Sequence, residues 1–393
     1  MSTGPIRKRR IWRVPLGVFL ALVVVAGAAL FLYATELPPP SGPFAVGRTS
    51  YAWIDPTRPE PWLDDSSERR HLLVYVWYPA EPTAFRATAP YFPALDQLSG
   101  QFSWYERFAI RSVGTHVGTE VAPVPEKFPV LLFSPGANNS SLFYESLFEE
   151  LASHGFAVVG LEHAYEGRGQ VLPDGRVVGP EAERQRPRPD SPTYAADADR
   201  FYRRRVDARA LDAAFALDHL TWIAEKDSLL GSRLDLSRVG VFGHSLGGIA
   251  ATEAARLDAR FRVVANLDGL VGGQPLYVEP NGQCLKQPFL YLGKPLPEQM
   301  SAERRAKQDE ILRCVTGGSW RVLIAGASHT SFSDEPFWAP GGYTAKARTL
   351  AVVRAYLVAF FDRHLLARNT ELLDERSGAY PEASVESFSQ GLR

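Results

Sequence analysis

From about Phe44 onward the chain alternates short, continuous apolar runs with longer stretches in which apolar residues recur every three or four positions. The short runs are HLLVYVWYP (71–79), PVLLFS (129–134), FAVVGLE (156–162), RVGVFG (238–243), RVVANLD (262–268), PFLYLG (288–293) and WRVLIAG (320–326). They are rich in Val, Leu, Ile and aromatics and mostly lack alternation, which predicts strands covered on both faces. Between them, residues 140–155 have helical spacing and stop at Gly155, a residue suited to the left-handed turn that ends helices. The run 196–226 places Leu211, Ala214, Leu217 and Leu220 on one face, and 344–366 does the same with Leu350, Val353, Tyr356, Leu357 and Phe360. Strands alternating with helices predict an α/β fold, a doubly wound and mostly parallel central sheet with helices on both faces.

Two stretches break the alternation. Residues 91–112 are aromatic-rich without a strand pattern, and residues 164–195 are rich in Pro, Gly and Arg. Irregular segments of that length inside a domain serve as lids or binding loops, or are plain surface excursions. In the first stretch Trp104, Tyr105 and Phe108 are candidates to line a substrate pocket, although core packing is the commoner fate of such aromatics.

Ahead of the domain, Val14 to Tyr33 is twenty residues without a charge. A helix of about twenty apolar residues spans the roughly 30 Å hydrocarbon layer of a bilayer. Arg7, Lys8, Arg9, Arg10 and Arg13 precede it and no acid falls within residues 1–35, which predicts a cytoplasmic N-terminus and an exported body. The expected organisation is a basic cytoplasmic arm (1–13), a transmembrane signal-anchor helix (14–33), a Pro-rich polyproline spacer (34–43), a catalytic domain (44–380) and a C-terminal tail (381–393). A cleaved secretion signal is the rival reading, but the apolar core is long for one and no small-x-small site precedes Glu36.

Without the arm the chain holds 38 basic against 44 acidic residues, and a mildly acidic body offers no field for nucleic acid. Cys284 and Cys314 are the only cysteines. Two isolated thiols cannot build a metal cluster. An oxidising compartment permits a disulfide between them, the alternative being two buried free thiols.

The chemistry is carried by Gly243-His244-Ser245-Leu246-Gly247, followed by Gly248, which fits G-x-S-x-G. A strand-like run precedes it and the helical LGGIAATEAARL follows, the context of the nucleophile elbow of the α/β-hydrolase fold. There the serine sits on a sharp, strained turn, glycines let strand and helix approach, and the helix N-terminus offers free N–H groups to an oxyanion. The fold orders its residues Ser, acid, His. Of the two histidines beyond Ser245, His364 lies inside the helical VAFFDRHLLA, whereas His329 follows a strand in a small-residue loop, where a general base is presented. Three aspartates lie between: Asp258 and Asp309 fall in or beside helical runs, and Asp268 ends a strand just before Gly269. Asp268 is therefore expected to orient His329 and stabilise its imidazolium. A second oxyanion donor is expected from the loop after PVLLFS, the N–H of Ala137 in Pro135-Gly136-Ala137-Asn138-Asn139, beside that of Leu246. The same loop also suits a plain helix start. Acyl transfer by such a set calls for no metal and no cofactor.

At these residues the chain resembles the platelet-activating factor acetylhydrolase family, the plasma and bacterial type II branch of the α/β-hydrolases. The likeness runs from about Val46 to Phe361, through VYVWYPA (74–80), FSPGANN (133–139), LASHGFAVVGLEH (151–163), RVDARALDAAFALDHL (205–220), GHSLGG (243–248), ANLDG (265–269), QPFLYLG (287–293) and AGASHTSFSD (325–334). The resemblance implies a Ser245, Asp268 and His329 triad, Ala137 and Leu246 as oxyanion donors, and phospholipids with short or oxidised acyl chains as substrates. Where the family often has His-Gly in its first oxyanion loop this chain has Pro135-Gly136, a Ser-Pro-Gly version also similar to bacterial cutinase-like polyester hydrolases. The expectation is thus a membrane-anchored carboxylic-ester hydrolase with an extracytoplasmic catalytic domain. A polyester hydrolase is the alternative within enzymes. A non-catalytic exported binding module that keeps the fold is the reading from another class.

Overall fold

The computed structural model describes residues 17–23, 25, 35–82, 88–98, 100–111, 113–118, 124, 126–269, 284–295, 302–338, 342–374 and 378–388. In chain order its strands are β1 (Thr35–Glu36), β2 (Ala45–Pro59), β3 (Arg69–Ala80), β4 (Val113–Gly114), β5 (Val117–Gly118), β6 (Phe128–Ser134), β7 (Ala157–His163), β8 (Gln170–Val171), β9 (Val177–Val178), β10 (Leu234–His244), β11 (Phe261–Leu267), β12 (Phe289–Gly293), β13 (Ser319–Ile324) and β14 (Ala383–Ser387). The longer helices are α1 (Trp104–Arg111), α2 (Glu145–Ser153), α3 (Tyr194–Lys226), α4 (Leu246–Leu257), α5 (Ala302–Cys314) and α6 (Tyr343–Leu365).

Ten strands make one sheet in the order β14-β13-β12-β11-β10-β6-β7-β3-β2-β5. Every pairing from β13 through β7 is parallel, whereas β14, β3 and β2 join antiparallel. The continuous apolar runs are the parallel centre. Along β6 all seven residues are buried. Leu131 and Phe133 pack on one face with Phe148 of α2 and Phe361 of α6, while Val130 and Leu132 pack on the other with Leu217 of α3 and Ala251 of α4. Cover on both sides removes the polar alternation a one-sided sheet would show. The expected α/β architecture, a mostly parallel sheet between helical layers, is what forms.

The differences lie at the margins. The fifteen-residue β2 is absent from the sequence expectation because its residues alternate between covered and exposed and include Arg48, Asp55, Pro56, Arg58 and Pro59. Residues 381–393 are not simply a tail: Ala383–Ser387 pairs with β13 as the outermost strand. Nor do residues 35–43 of the expected spacer 34–43 stand off from the domain. Thr35–Glu36 pairs with Val113–Gly114, and Leu37 is fully buried. Arg354 of α6 donates to the carbonyls of Pro38 (2.9 Å) and Pro39 (3.1 Å). The Ser41 N–H donates to Glu150 (3.0 Å), and the Gly42 N–H to the Ser153 hydroxyl (3.1 Å). Prolines fix an extended backbone, and here the surface of the domain takes up that shape.

Cys284 and Cys314 are joined as a disulfide, with Cα atoms 5.3 Å apart. The bridge ties the approach to β12 to the end of α5. Most of the expected span 14–33 lies outside the described residues. Its part at 17–23 is helical, with Phe19 and Leu22 exposed. Among the described residues no helix is long and apolar enough to cross a membrane.

Candidate active site

Strand β10 runs straight into the turn at Ser245, and α4 leaves it. Ser245 has φ 54° and ψ −122°, a backbone conformation that side chains rarely adopt. Strain of this kind costs about 1–3 kcal/mol and persists where the surroundings over-determine it. They do so here. The Ser245 N–H donates to the Leu267 carbonyl at 2.8 Å. A Cβ at Gly243 would come within 2.3 Å of the Gly247 carbonyl oxygen, and one at Gly247 within 2.0 Å of the Ser134 carbonyl oxygen. Only glycine lets the three segments close around the serine.

His329 opens a short 3-10 turn just past β13, and Ser328 and Ser331 cap that turn reciprocally. Its ring spans the gap expected from the sequence. Nε2 lies 3.0 Å from the Ser245 hydroxyl and Nδ1 2.6 Å from Oδ2 of Asp268. A carboxylate can only accept, so Nδ1 carries the proton and Nε2 is left to accept from the serine. Asp268, at the end of β11, is buried. Its other oxygen accepts from the Tyr291 hydroxyl at 3.3 Å and the Lys294 N–H at 3.4 Å, and the Lys294 ammonium stands 4.0 Å from the carboxylate. Burial and the adjacent Asp268 push the Tyr291 phenol well above its usual value, so it stays a donor. Of Ser245, Asp268 and His329, the structure brings all three into one hydrogen-bonded line.

A second line of the same composition lies behind it. The His163 ring is 2.8 Å from both the Ser134 hydroxyl and Asp212. Ser134, His163 and Asp212 are at most 3% exposed, whereas the His329 side chain is 37% exposed. Of the two lines, only the outer one reaches solvent, through the His329 side chain, and a nucleophile must meet its substrate. The inner one is part of a buried ionic cluster. Arg70 bonds Asp212 and Glu60, and Arg205 (3.1 Å) and Arg209 (2.9 Å) both bond Glu166. Burial works to raise the Glu166 carboxyl, but Arg209, Arg205 and Arg70 hold it down at about 2. Glu166 belongs to the stretch 164–195, which also holds the β8–β9 hairpin, a turn of helix at Glu181–Arg184 and the start of α3. That stretch contributes a buried anion beneath the site.

The first peptide units of the loop Pro135–Asn139 are tied down by hydrogen bonds. Arg209 donates to the Pro135 carbonyl at 2.6 Å, and the Gly136 N–H donates to the Tyr144 hydroxyl at 3.2 Å. The Gly136 carbonyl accepts from the Asn139 N–H at 3.2 Å. Among the described residues no acceptor is bonded to the N–H of Ala137 or of Leu246. Pro135 and Gly136 are buried and Ala137 is exposed. A Cβ at Gly136 would lie 3.7 Å from that of Ser245, so the loop passes beside the serine.

Tyr144 continues the connection. Its hydroxyl is 2.8 Å from Nδ1 of His244, whose Nε2 lies 2.9 Å from the His329 carbonyl. Since a carbonyl only accepts, His244 donates from Nε2, and Tyr144 donates to Nδ1. Burial, with His329 nearby, pushes His244 down to about 3, so the ring is neutral in ordinary buffers.

Trp104 and Tyr105 stand at the surface on α1. Trp104 is 72% exposed and Tyr105 is also exposed, their rings edge to face at 6.0 Å. Phe108 is half-buried on α1. The residues the sequence reading misses are Tyr144, from the 3-10 turn Ser141–Tyr144, Arg209 of α3, Tyr291 of β12 and Lys294 just past that strand. His244 stood inside the motif without a role, and a histidine among buried strand residues is the one signal that marks it.

Comparison with known proteins adds the following. The model of the Alpha/beta hydrolase family matches residues 130–383. That of platelet-activating factor acetylhydrolase, isoform II, matches residues 31–188. A probable 1-alkyl-2-acetylglycerophosphocholine esterase of Arthroderma benhamiae is 25% identical, the match covering 93% of this chain and 97% of that protein. The platelet-activating factor acetylhydrolase of Gallus gallus is 23% identical over 77% of this chain and 75% of its own length. Among solved structures, the ferulic acid esterase from Streptomyces cinnamoneus superposes with a TM-score of 0.71. It is 29% identical and covers 90% of this chain and 99% of that one.

Proposed function

Because the chain belongs to the alpha/beta hydrolase family and is a carboxylic-ester hydrolase, we propose that it cleaves short-acyl esters of the platelet-activating factor type through Ser245, His329 and Asp268. The observation that carries this reading is the 3.0 Å contact between the Ser245 hydroxyl and Nε2 of His329, made where solvent reaches the ring. Ser245 attacks the ester carbonyl as His329 takes its proton, and Asp268 holds the imidazole in the accepting tautomer. Negative charge develops on the carbonyl oxygen and meets the N–H groups of Ala137 and Leu246. His329 then protonates the departing alkoxide, leaving an acyl-Ser245 ester. Water, deprotonated by the same ring, frees the acid.

A panel of esters tests the substrate class. A 2-acetyl phospholipid is expected to exceed its 2-palmitoyl counterpart in kcat/KM by about tenfold or more, the scale on which a closed acyl pocket discriminates chain length. Faster turnover of methyl ferulate than of the acetyl lipid would move the substrate to a hydroxycinnamate ester, the reading that the Streptomyces structure favours. Preference for a polyester film would displace both.

The reading extends to location, with the catalytic body outside the cytoplasm behind an anchor at 14–33. The basic arm before that apolar stretch supports it, as does the Cys284–Cys314 bridge, since disulfides persist in oxidising compartments. Protease added to intact cells is then expected to digest the body. Protection that ends only on lysis would contradict this topology.

A further inference from the structure

The peptide unit between Pro135 and Gly136 is gripped at both ends, and nothing in the mechanism above uses either grip. At one end Arg209, fully buried on α3, reaches 74 residues back along the chain to donate to the carbonyl. At the other, the N–H donates to the Tyr144 hydroxyl. Once that peptide plane is fixed and the Gly136 carbonyl is taken by Asn139, the Ala137 N–H is the next donor in the loop, and it is unbonded. Tyr144 does not stop there. Its own proton goes to His244, whose Nε2–H holds the backbone of His329. The loop that carries the oxyanion donor and the turn that carries the base therefore share one chain of hydrogen bonds.

We infer that Tyr144 and Arg209 are positioning residues that clamp the Pro135–Gly136 peptide, so that the Ala137 N–H is aimed before substrate arrives and His329 is held in register with it through His244. The inference rests on the reading of Ser245 as nucleophile and of Ala137 as oxyanion donor. An oxyanion hole works by being organised in advance of the charge it meets. A clamp on the neighbouring peptide supplies that organisation at no cost during the reaction. The neutral state of His244 fits the role, because Nδ1 must accept from Tyr144 for the chain to close.

Tyr144→Phe is the test. The ring packs against Phe133 at 4.6 Å and against Phe148 at 6.3 Å, contacts phenylalanine keeps, while the hydroxyl that bonds Gly136 and His244 goes. Active sites are counted with a fluorophosphonate, then kcat and KM are measured per labelled site, with the affinity for a trifluoromethyl ketone that mimics the tetrahedral intermediate. Labelled sites are expected to stay at wild-type number and KM within about twofold. The expected fall in kcat is about 10- to 100-fold, the scale of small misplacements at a reacting centre, with ketone affinity falling in proportion. Arg209→Lys, which keeps a cation for Glu166 and a donor for Pro135, is expected to retain more of kcat than Arg209→Gln. Unchanged kcat per site and unchanged ketone affinity in Tyr144→Phe overturn the clamp. So does a loss of labelled sites in which the surviving sites run at full rate, since that is a folding defect alone. A wild type that neither labels nor turns over any ester overturns the underlying nucleophile assignment instead.

Discussion

Ser245→Ala is expected to lower kcat by about a million-fold, the loss seen when the nucleophile of such a unit is removed. The oxyanion donors and the binding surface remain, so a residue of about 10³- to 10⁴-fold catalysis over water survives. The variant should fold, because Ser245 is only half-buried and alanine removes a hydroxyl whose partner, His329, faces solvent. Its positive φ is strained for alanine as for serine, so the turn is not relieved. Fluorophosphonate labelling should vanish with turnover. The inner serine makes this experiment decisive. If Ser134, with its own His163 and Asp212, were the nucleophile, Ser245→Ala would leave labelling intact. Retention of more than about one per cent of wild-type kcat would remove Ser245 from the mechanism.

Asp268→Asn follows at about 10⁴-fold, through the tautomer of His329. Asparagine can turn its amide nitrogen toward Nδ1, which then accepts instead of donating, and the ring proton moves to Nε2. A protonated Nε2 can only donate to the Ser245 hydroxyl and cannot take its proton. The geometry should otherwise hold, because Tyr291 and the Lys294 N–H donate to Oδ1 and an amide oxygen there can still accept. The measurement is kcat at neutral pH beside KM for the same ester, with KM expected near wild type. A loss of less than about tenfold would mean that another group holds the ring. Both experiments presume well-formed enzyme, so a matching thermal transition for each variant belongs beside them.

The parts of the site legible in the sequence were those fixed by local geometry. Ser245 announces itself because a strand, a glycine-flanked turn and a helix must follow one another within a dozen residues, and each leaves a pattern. Asp268 and His329 were legible because parallel strands present their following loops on one edge of a sheet. Tyr144, Arg209 and His244 were not, since their roles depend on which distant backbone atom each meets. The separation of 74 positions between Pro135 and Arg209 leaves no trace of that bond in the sequence. The centre of the fold was legible for the same reason that β6 is apolar at almost every position. Its edges were not: β2 and β14 have polar neighbours on one side, and their composition is that of loops. The stretch 164–195 reads as a lid or a surface excursion from its prolines and arginines, yet Glu166 within it is wholly buried. A carboxylate is stable there only because three guanidinium groups drawn from β3 and α3 surround it.

The segment at 35–44 limits how the enzyme can be carried. A free polyproline stalk extends about 3.1 Å per residue, which over ten residues gives a reach of about 31 Å and freedom to swing. Bonded to Arg354, Glu150 and Ser153 from Pro38 onward, this segment supplies no leash. From Pro38 onward the chain therefore moves with the catalytic body, its course set by side chains of α2 and α6 and not by diffusion at the end of a tether.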